Sequence, residues 1–183
     1  VTQVKLPALL PAGSEKIFER AQIDSAVDAL AGGISELLGD KRPLILCIMN
    51  GGVPLTGFLM PKLDFALELD YVHASRYRGS RTGDVFQWIR RPPTTIAGRN
   101  VLLIDDIFDQ GLTLQAVIDA CRDRDARSVH TAVLVEKPAA RLTERKLADF
   151  VALQAPERYL VGFGMDYQGL FRNLEEIYAL PNL

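Results

Sequence analysis

The side chains best suited to chemistry lie together in one run, Asp105-Asp106-Ile107-Phe108-Asp109-Gln110-Gly111-Leu112-Thr113. The adjacent carboxylates of Asp105 and Asp106 repel one another, and a structure tolerates that only where hydroxyls, cations or solvent compensate the charge. A sugar diol and Mg2+ each do so. Asp109 follows as a third acid, and then Gly111 lets the backbone come close to a ligand. A helix start after it presents unpaired N–H groups and the positive end of its dipole, which together hold a phosphate. Taken alone, the acidic pair also suits a solvated turn whose carboxylates serve the dipole. Other phosphate motifs fit poorly. The chain has no Gly-Lys-Ser/Thr run of the P-loop kind, and Gly162-Phe163-Gly164 lacks the third glycine of a dinucleotide fingerprint.

The elements around this run place it at the edge of a sheet. Val101 to Ile104 reads as a buried strand, Asp105 to Gly111 as a turn, Thr113 to Arg122 as a helix and Ser128 to Val135 as a second apolar strand. That order is a right-handed parallel crossover, so the expected class is α/β. Open sheets of this class bind ligands at the carboxyl ends of their strands. Leu44 to Met49 is a further wholly apolar run of the parallel-sheet kind, broken by Asn50-Gly51-Gly52. Before it, Val27, Leu30, Ile34, Leu37 and Leu38 give the spacing of one buried helical face, with Asp24 as the expected N-cap and Gly39 as the end.

A helical stretch is expected from Pro54 to about Leu63, and Ala66 to His73 alternates like a half-exposed strand. Ser75 to Asp84 is polar and glycine-bearing, a loop on composition, with Val85 to Ile89 as a returning strand. Asp149 to Leu153 and Tyr159 to Phe163 read as short strands.

Composition sets the outer bounds. The 183 residues suit one domain, and 48% hydrophobic with 24% charged residues is ordinary for a globular chain. With 21 Lys and Arg against 23 Asp and Glu, the net charge of -2 supplies no global field for nucleic acid or an anionic membrane. Cys47 and Cys121 sit inside apolar runs without metal-type spacing and are expected as buried reduced thiols, which suits a cytoplasmic location. No apolar run reaches the roughly 20 residues that span a bilayer, and the N-terminal stretch lacks a basic region followed by an apolar core. His73 and His130 have no partner at ligand spacing, and Met49, Met60 and Met165 read as packing residues.

The run from Val101 to Thr113 resembles the phosphoribosyl-diphosphate motif of type I phosphoribosyltransferases. Three further segments resemble the hypoxanthine-guanine phosphoribosyltransferases in particular. They are Asn50-Gly51-Gly52, Leu134-Val135-Glu136-Lys137-Pro138, and Tyr159-Leu160-Val161-Gly162-Phe163-Gly164-Met165-Asp166-Tyr167 through Arg172-Asn173-Leu174. The resemblance implies a type I phosphoribosyltransferase fold, a central parallel sheet flanked by helices with a small hood. The core would span about 40–148, and the hood would come from about 1–20 and 149–183.

The resemblance also implies a set of roles. Phosphoribosyl diphosphate and an oxopurine would be the substrates, with Mg2+ as cofactor. Asp105 and Asp106 would take the ribose hydroxyls, directly or through metal, and backbone groups of Asp109, Gln110, Gly111, Leu112 and Thr113 would hold the 5'-phosphate. Asp109 would be the general base or hydrogen-bond partner of the purine imidazole nitrogen. Lys137 would donate to the six-position oxygen, which disfavours adenine. The ring of Tyr159 would stack on the purine while backbone groups near Leu160 read its edge. Asp166 would bind Mg2+ with the pyrophosphate, and Arg172 would grip that pyrophosphate. Read singly, Lys137 also suits an exposed lysine after a strand and Tyr159 a core tyrosine.

Two departures from the family pattern stand out. Relatives carry a serine-tyrosine pair in the loop that would close as a lid over Ser75 to Gly83, whereas here Arg76 precedes Tyr77; an inert hairpin loop is the other reading. Many relatives have a lysine or arginine where this chain has Asn50, in a loop whose peptide is often cis, and the expected cis bond is Asn50-Gly51. A homodimer or homotetramer is implied. The alternatives are a xanthine-preferring transferase and a nucleotide-sensing regulator of the same fold that binds nucleic acid. The only local basic cluster, Arg76, Arg78, Arg81, Arg90 and Arg91, more simply serves a lid or a subunit contact.

Overall fold

The computed structural model describes residues 6–77, 85–137 and 148–181. Two sheets divide the chain. The larger has six strands: β2 (Leu44–Met49), β3 (Glu68–Tyr77), β4 (Val85–Arg90), β5 (Asn100–Phe108), β6 (Ser128–Glu136) and β7 (Phe150–Gln154). They lie in the order β4-β3-β2-β5-β6-β7, all parallel except the β3/β4 pair at one edge. The smaller sheet joins both ends of the chain in antiparallel order β1-β9-β8, from β1 (Glu15–Phe18), β8 (Leu160–Val161) and β9 (Ile177–Ala179).

Burial on both faces explains the apolar strands. Helix α1 (Arg20–Leu38) and helix α2 (Gly52–Leu59) cover one face of the large sheet, with Ile23, Val27, Ile34 and Leu55 packed against Ile45 and Ile104. Helix α3 (Leu112–Arg122) covers the other, with Leu114, Val117 and Cys121 against Leu46 and Leu103. Successive β2 and β5 residues point to opposite faces, so a strand buried on both sides shows no polar alternation. Cys47 and Cys121 are buried free thiols, and burial pushes Cys121 up to about 12. Among the described residues no helix is long and apolar enough to cross a membrane.

Several boundaries differ from the sequence expectation. Helix α1 starts at Arg20, not after Asp24, because Glu19 and Gln22 close a reciprocal capping box on the first turn. Asp24 instead accepts an ion pair from Arg20 one turn before it. Helix α2 begins two residues before Pro54 and gives way to a 3-10 turn at Met60–Lys62, where Pro61 interrupts the α-helical ladder. Strand β5 continues through Phe108 rather than stopping at Ile104, since Asp105, Ile107 and Phe108 stay in register with Val133, Val135 and Glu136 of β6. The hood boundary near 149 moves as well: Phe150–Gln154 pairs with β6 and extends the large sheet, so the small-sheet part of the C-terminal segment begins after it.

Candidate active site

A cavity of about 450 Å³ opens at the carboxyl ends of β2, β5 and β6 and is walled on the far side by the small-sheet segment. Strand β5 delivers the acids. Asp105 and Asp106 are 9% and 8% exposed, so they form a buried pair on a strand and not the solvated turn that their types also allowed. The Asp105 carboxylate accepts a hydrogen bond from the Asp106 N–H at 3.0 Å. After β5 the chain turns through Gly111, whose φ of 72° is a left-handed conformation that side chains disfavour, and α3 starts immediately. No side chain caps that start, which leaves its N–H groups directed at the cavity lined by Gln110, Gly111, Leu112 and Thr113.

On the opposite side, the Asn50-Gly51-Gly52 loop ends β2 and is pressed onto β5. A Cβ on Gly51 would overlap the Asp106 carboxylate, and one on Gly52 would stand 2.5 Å from the Ile104 carbonyl oxygen. Glycine is required here by close approach. The cis peptide is Met49-Asn50, one bond earlier than the expected Asn50-Gly51. The bend thus falls at the last β2 residue, and Asn50 and Gly51 still line the cavity.

Lys137 follows β6 and is 7% exposed, buried rather than at the surface, with Nζ 3.4 Å from the Asp109 carboxylate. The small-sheet wall carries Tyr159, Leu160, Asp166 and Arg172. Arg172 donates to the Gly164 carbonyl at 2.6 Å and pairs with Asp166 at 2.6 Å. Tyr159 lines the cavity and is 43% exposed, so it is not a core tyrosine.

Electrostatics single out the acid pair. Burial, and then the Asp106 charge beside it, pushes the Asp105 carboxyl well above the usual carboxylate range. Burial raises Asp106 too, and the Arg172 charge opposes both shifts. A carboxyl raised in the folded state contributes its stability fully below the unfolded value of about 3.9 and loses it as pH rises through the folded value. Once pH exceeds the unfolded value, the raised Asp105 carboxyl therefore costs stability relative to a neutral side chain. Asp105→Asn is expected to raise Tm at pH 8 by roughly 2–4 °C, the shift that about 1 kcal/mol gives in a domain of this size. The gain should vanish toward pH 4. Thermal melts across pH check this, and a lower Tm for the variant at pH 8 would show the charge to be fully compensated.

Of the residues singled out in the sequence, the cavity brings together Asn50, Gly51, Asp105, Asp106, Asp109, Gln110, Gly111, Leu112 and Thr113 with Lys137, Tyr159, Leu160, Asp166 and Arg172. Arg76 and Tyr77 belong by their backbone to β3, opposite Phe86 and Val85. The segment 78–84, which holds most of the expected lid with Arg78 and Arg81, lies outside the described residues. Arg90 pairs with Asp70 at 2.7 Å and lies over the Tyr71 ring, and Arg91 lies over Trp88, so these two cations are engaged within the β3/β4 edge. Sequence reasoning missed Ile107, Ala74 and Leu114 as lining residues, and Met49 and Met165 line the cavity besides packing. Strand alternation points to Ile107, which lies two residues after Asp105 on the same face.

Buried paired acids at a strand end, a glycine turn into an uncapped helix and a cation-bearing wall are chemically suited to a sugar phosphate. Residues 13–168 match the model of the phosphoribosyl transferase domain, and the chain belongs to the phosphoribosyltransferase family. A hypoxanthine-guanine phosphoribosyltransferase of Bacillus subtilis (strain 168) is 33% identical over 166 residues, covering 90% of this chain and 91% of that protein. By this likeness the chain is an enzyme of the hypoxanthine-guanine phosphoribosyltransferase kind. Among solved structures, a hypoxanthine phosphoribosyltransferase from Staphylococcus aureus matches with a TM-score of 0.83 at 27% identity, over 91% of each chain. A hypoxanthine-guanine-xanthine phosphoribosyltransferase matches at 0.75 and 27%, over 91% of this chain and 94% of that one.

Proposed function

We propose that the protein transfers the 5-phosphoribosyl group of phosphoribosyl diphosphate to hypoxanthine or guanine, giving IMP or GMP and pyrophosphate in purine salvage. The observation that carries this reading is the buried Lys137 beside Asp109 in a cavity that Arg172, paired with Asp166, also lines. An ammonium group donates and cannot accept, so it favours a purine carbonyl over an amino group. The bond from the anomeric carbon to the pyrophosphate oxygen breaks, and a bond from that carbon to a purine imidazole nitrogen forms. The proton leaving that nitrogen goes to a carboxylate oxygen of Asp109. Arg172 neutralises charge on the departing pyrophosphate. N–H groups from Gln110 to Thr113 hold the 5'-phosphate, and Asp105 and Asp106 hold the ribose hydroxyls.

Mg2+ fits the donor set. No group of three or more His, Cys, Asp or Glu side chains forms a cage among the described residues. Mg2+ is ordinarily held by one or two carboxylates together with substrate phosphates. Asp105, Asp106 and Asp166 supply hard oxygen donors at the cavity, and the first two are acids whose buried charge lacks full compensation. When bound, the ion would neutralise phosphate charge. The buried reduced thiols suit a cytoplasmic enzyme, and a homodimer or homotetramer is the proposed assembly.

The test is nucleotide formation from phosphoribosyl diphosphate and Mg2+ with hypoxanthine, guanine, xanthine and adenine in parallel. Turnover of the first two is expected. The structurally similar hypoxanthine-guanine-xanthine enzyme makes xanthine the second reading, and a xanthine rate above the other two would select it. No turnover of any base would overturn both.

A further inference from the structure

The turn from Asp166 to Phe171 is held in an unusual backbone. Gln168, Gly169 and Phe171 have φ of 53°, 83° and 72°, so three of its positions are left-handed and two of those carry side chains. Gln168 and Gly169 form a two-residue hairpin turn that Tyr167 and Leu170 close by exchanging backbone hydrogen bonds, and further bonds tie this hairpin to the cavity wall. One pin is the Asp166 side chain. Its Oδ2 accepts from the Gly169 N–H at 2.7 Å, and its Oδ1 pairs with Arg172 at 2.6 Å. Another is the hydroxyl of Tyr159, which donates to the Asp166 backbone carbonyl at 3.0 Å.

We propose that the Tyr159 hydroxyl is a positioning group that couples the base shelf to the pyrophosphate cation. The ring serves the purine, and the hydroxyl holds Asp166 and, through it, the Arg172 guanidinium that meets the pyrophosphate. Stacking needs only the aromatic face, which phenylalanine would supply equally. The hydroxyl adds a bond from the base shelf to the turn that carries the pyrophosphate cation. The Leu180 N–H holds the Tyr159 backbone by donating to its carbonyl at 2.8 Å, and the ring packs edge-on against Tyr167, with centroids 5.7 Å apart at 87°. A shift of the ring on base binding therefore reaches Asp166 through one bond and Arg172 through two. The inference rests on the reading of Tyr159 as purine shelf and of Arg172 as pyrophosphate grip.

Tyr159→Phe tests it. With hypoxanthine saturating, KM for phosphoribosyl diphosphate should rise about three- to tenfold, the scale of one neutral hydrogen bond. KM for hypoxanthine should move less than about twofold, since the ring remains. Tyr159→Leu should raise both. An unchanged KM for phosphoribosyl diphosphate in the Phe variant, or a rise for hypoxanthine equal to or above it, would overturn the coupling. Calorimetric binding of Mg2+-pyrophosphate separates this inference from the functional reading. If the parent protein turns over no purine, the reading fails on its own, and the coupling still requires weaker pyrophosphate binding in Tyr159→Phe than in the parent. Equal binding in the two proteins refutes it.

Discussion

Asp109→Asn should lower kcat with hypoxanthine about a hundredfold, the lower end of what a positioned general base contributes. The amide keeps the size of the side chain and its reach to Lys137, so KM for phosphoribosyl diphosphate should change by no more than about threefold. The geometry makes this separation clean. Asp109 lies after the end of β5 and is half exposed at the cavity, whereas the sugar-phosphate contacts are assigned to backbone N–H groups beyond it and to the buried pair before it. Steady-state kinetics and single-turnover rates check the prediction. A kcat within about twofold of the parent would remove Asp109 as proton acceptor and leave Lys137 and the metal to account for the rate.

Gly164→Ala should be strongly destabilising. Its φ of 110° is open to glycine and closed to most side chains, and a Cβ there would overlap the Gly51 carbonyl and stand 3.1 Å from the Asp106 Cβ. Neither backbone can yield, because Gly51 is itself pressed onto Asp106. Overpacking and backbone strain together should cost about 3 kcal/mol, which lowers Tm by roughly 6–12 °C. The Gly164 carbonyl also receives Arg172, so kcat/KM for phosphoribosyl diphosphate should fall by at least about tenfold. Gly169→Ala is the matched control. Its φ of 83° is also left-handed, but a Cβ there meets open space, so it should lose only about 1 kcal/mol, the strain alone. Equal Tm losses in the two variants would show that the overlap at Gly51 is relieved.

The parallel core was legible because burial on two faces leaves continuous apolar runs, as at Leu44–Met49 and Val101–Ile104. The acids after Ile104 read as a turn because polar side chains ordinarily end a buried strand. The ladder to β6 carries them inward regardless, with the Arg172 charge offsetting part of the cost. Lys137 was legible as a residue after a strand, but its burial depends on the cavity that Asp109 and the β6 end form together, which no local pattern encodes. The small sheet was the least legible part. Strand β8 has two residues and β9 three, too short for any period to show, and their partner β1 lies at the other end of the chain.

That last pairing has a consequence for how the protein is made. Glu15–Phe18 is synthesised well before its partner Ile177–Ala179, so at about 5–20 residues per second an emerging chain carries an unpaired β1 edge for many seconds. The large sheet has its strands before then, and the phosphate turn with it. A product that stops short of Ile177 would lack the strand that pairs with both β1 and β8, and with it Ile177 and Ala179 of the main core. Its open β1 and β8 edges would expose such a fragment to self-association and to proteolysis.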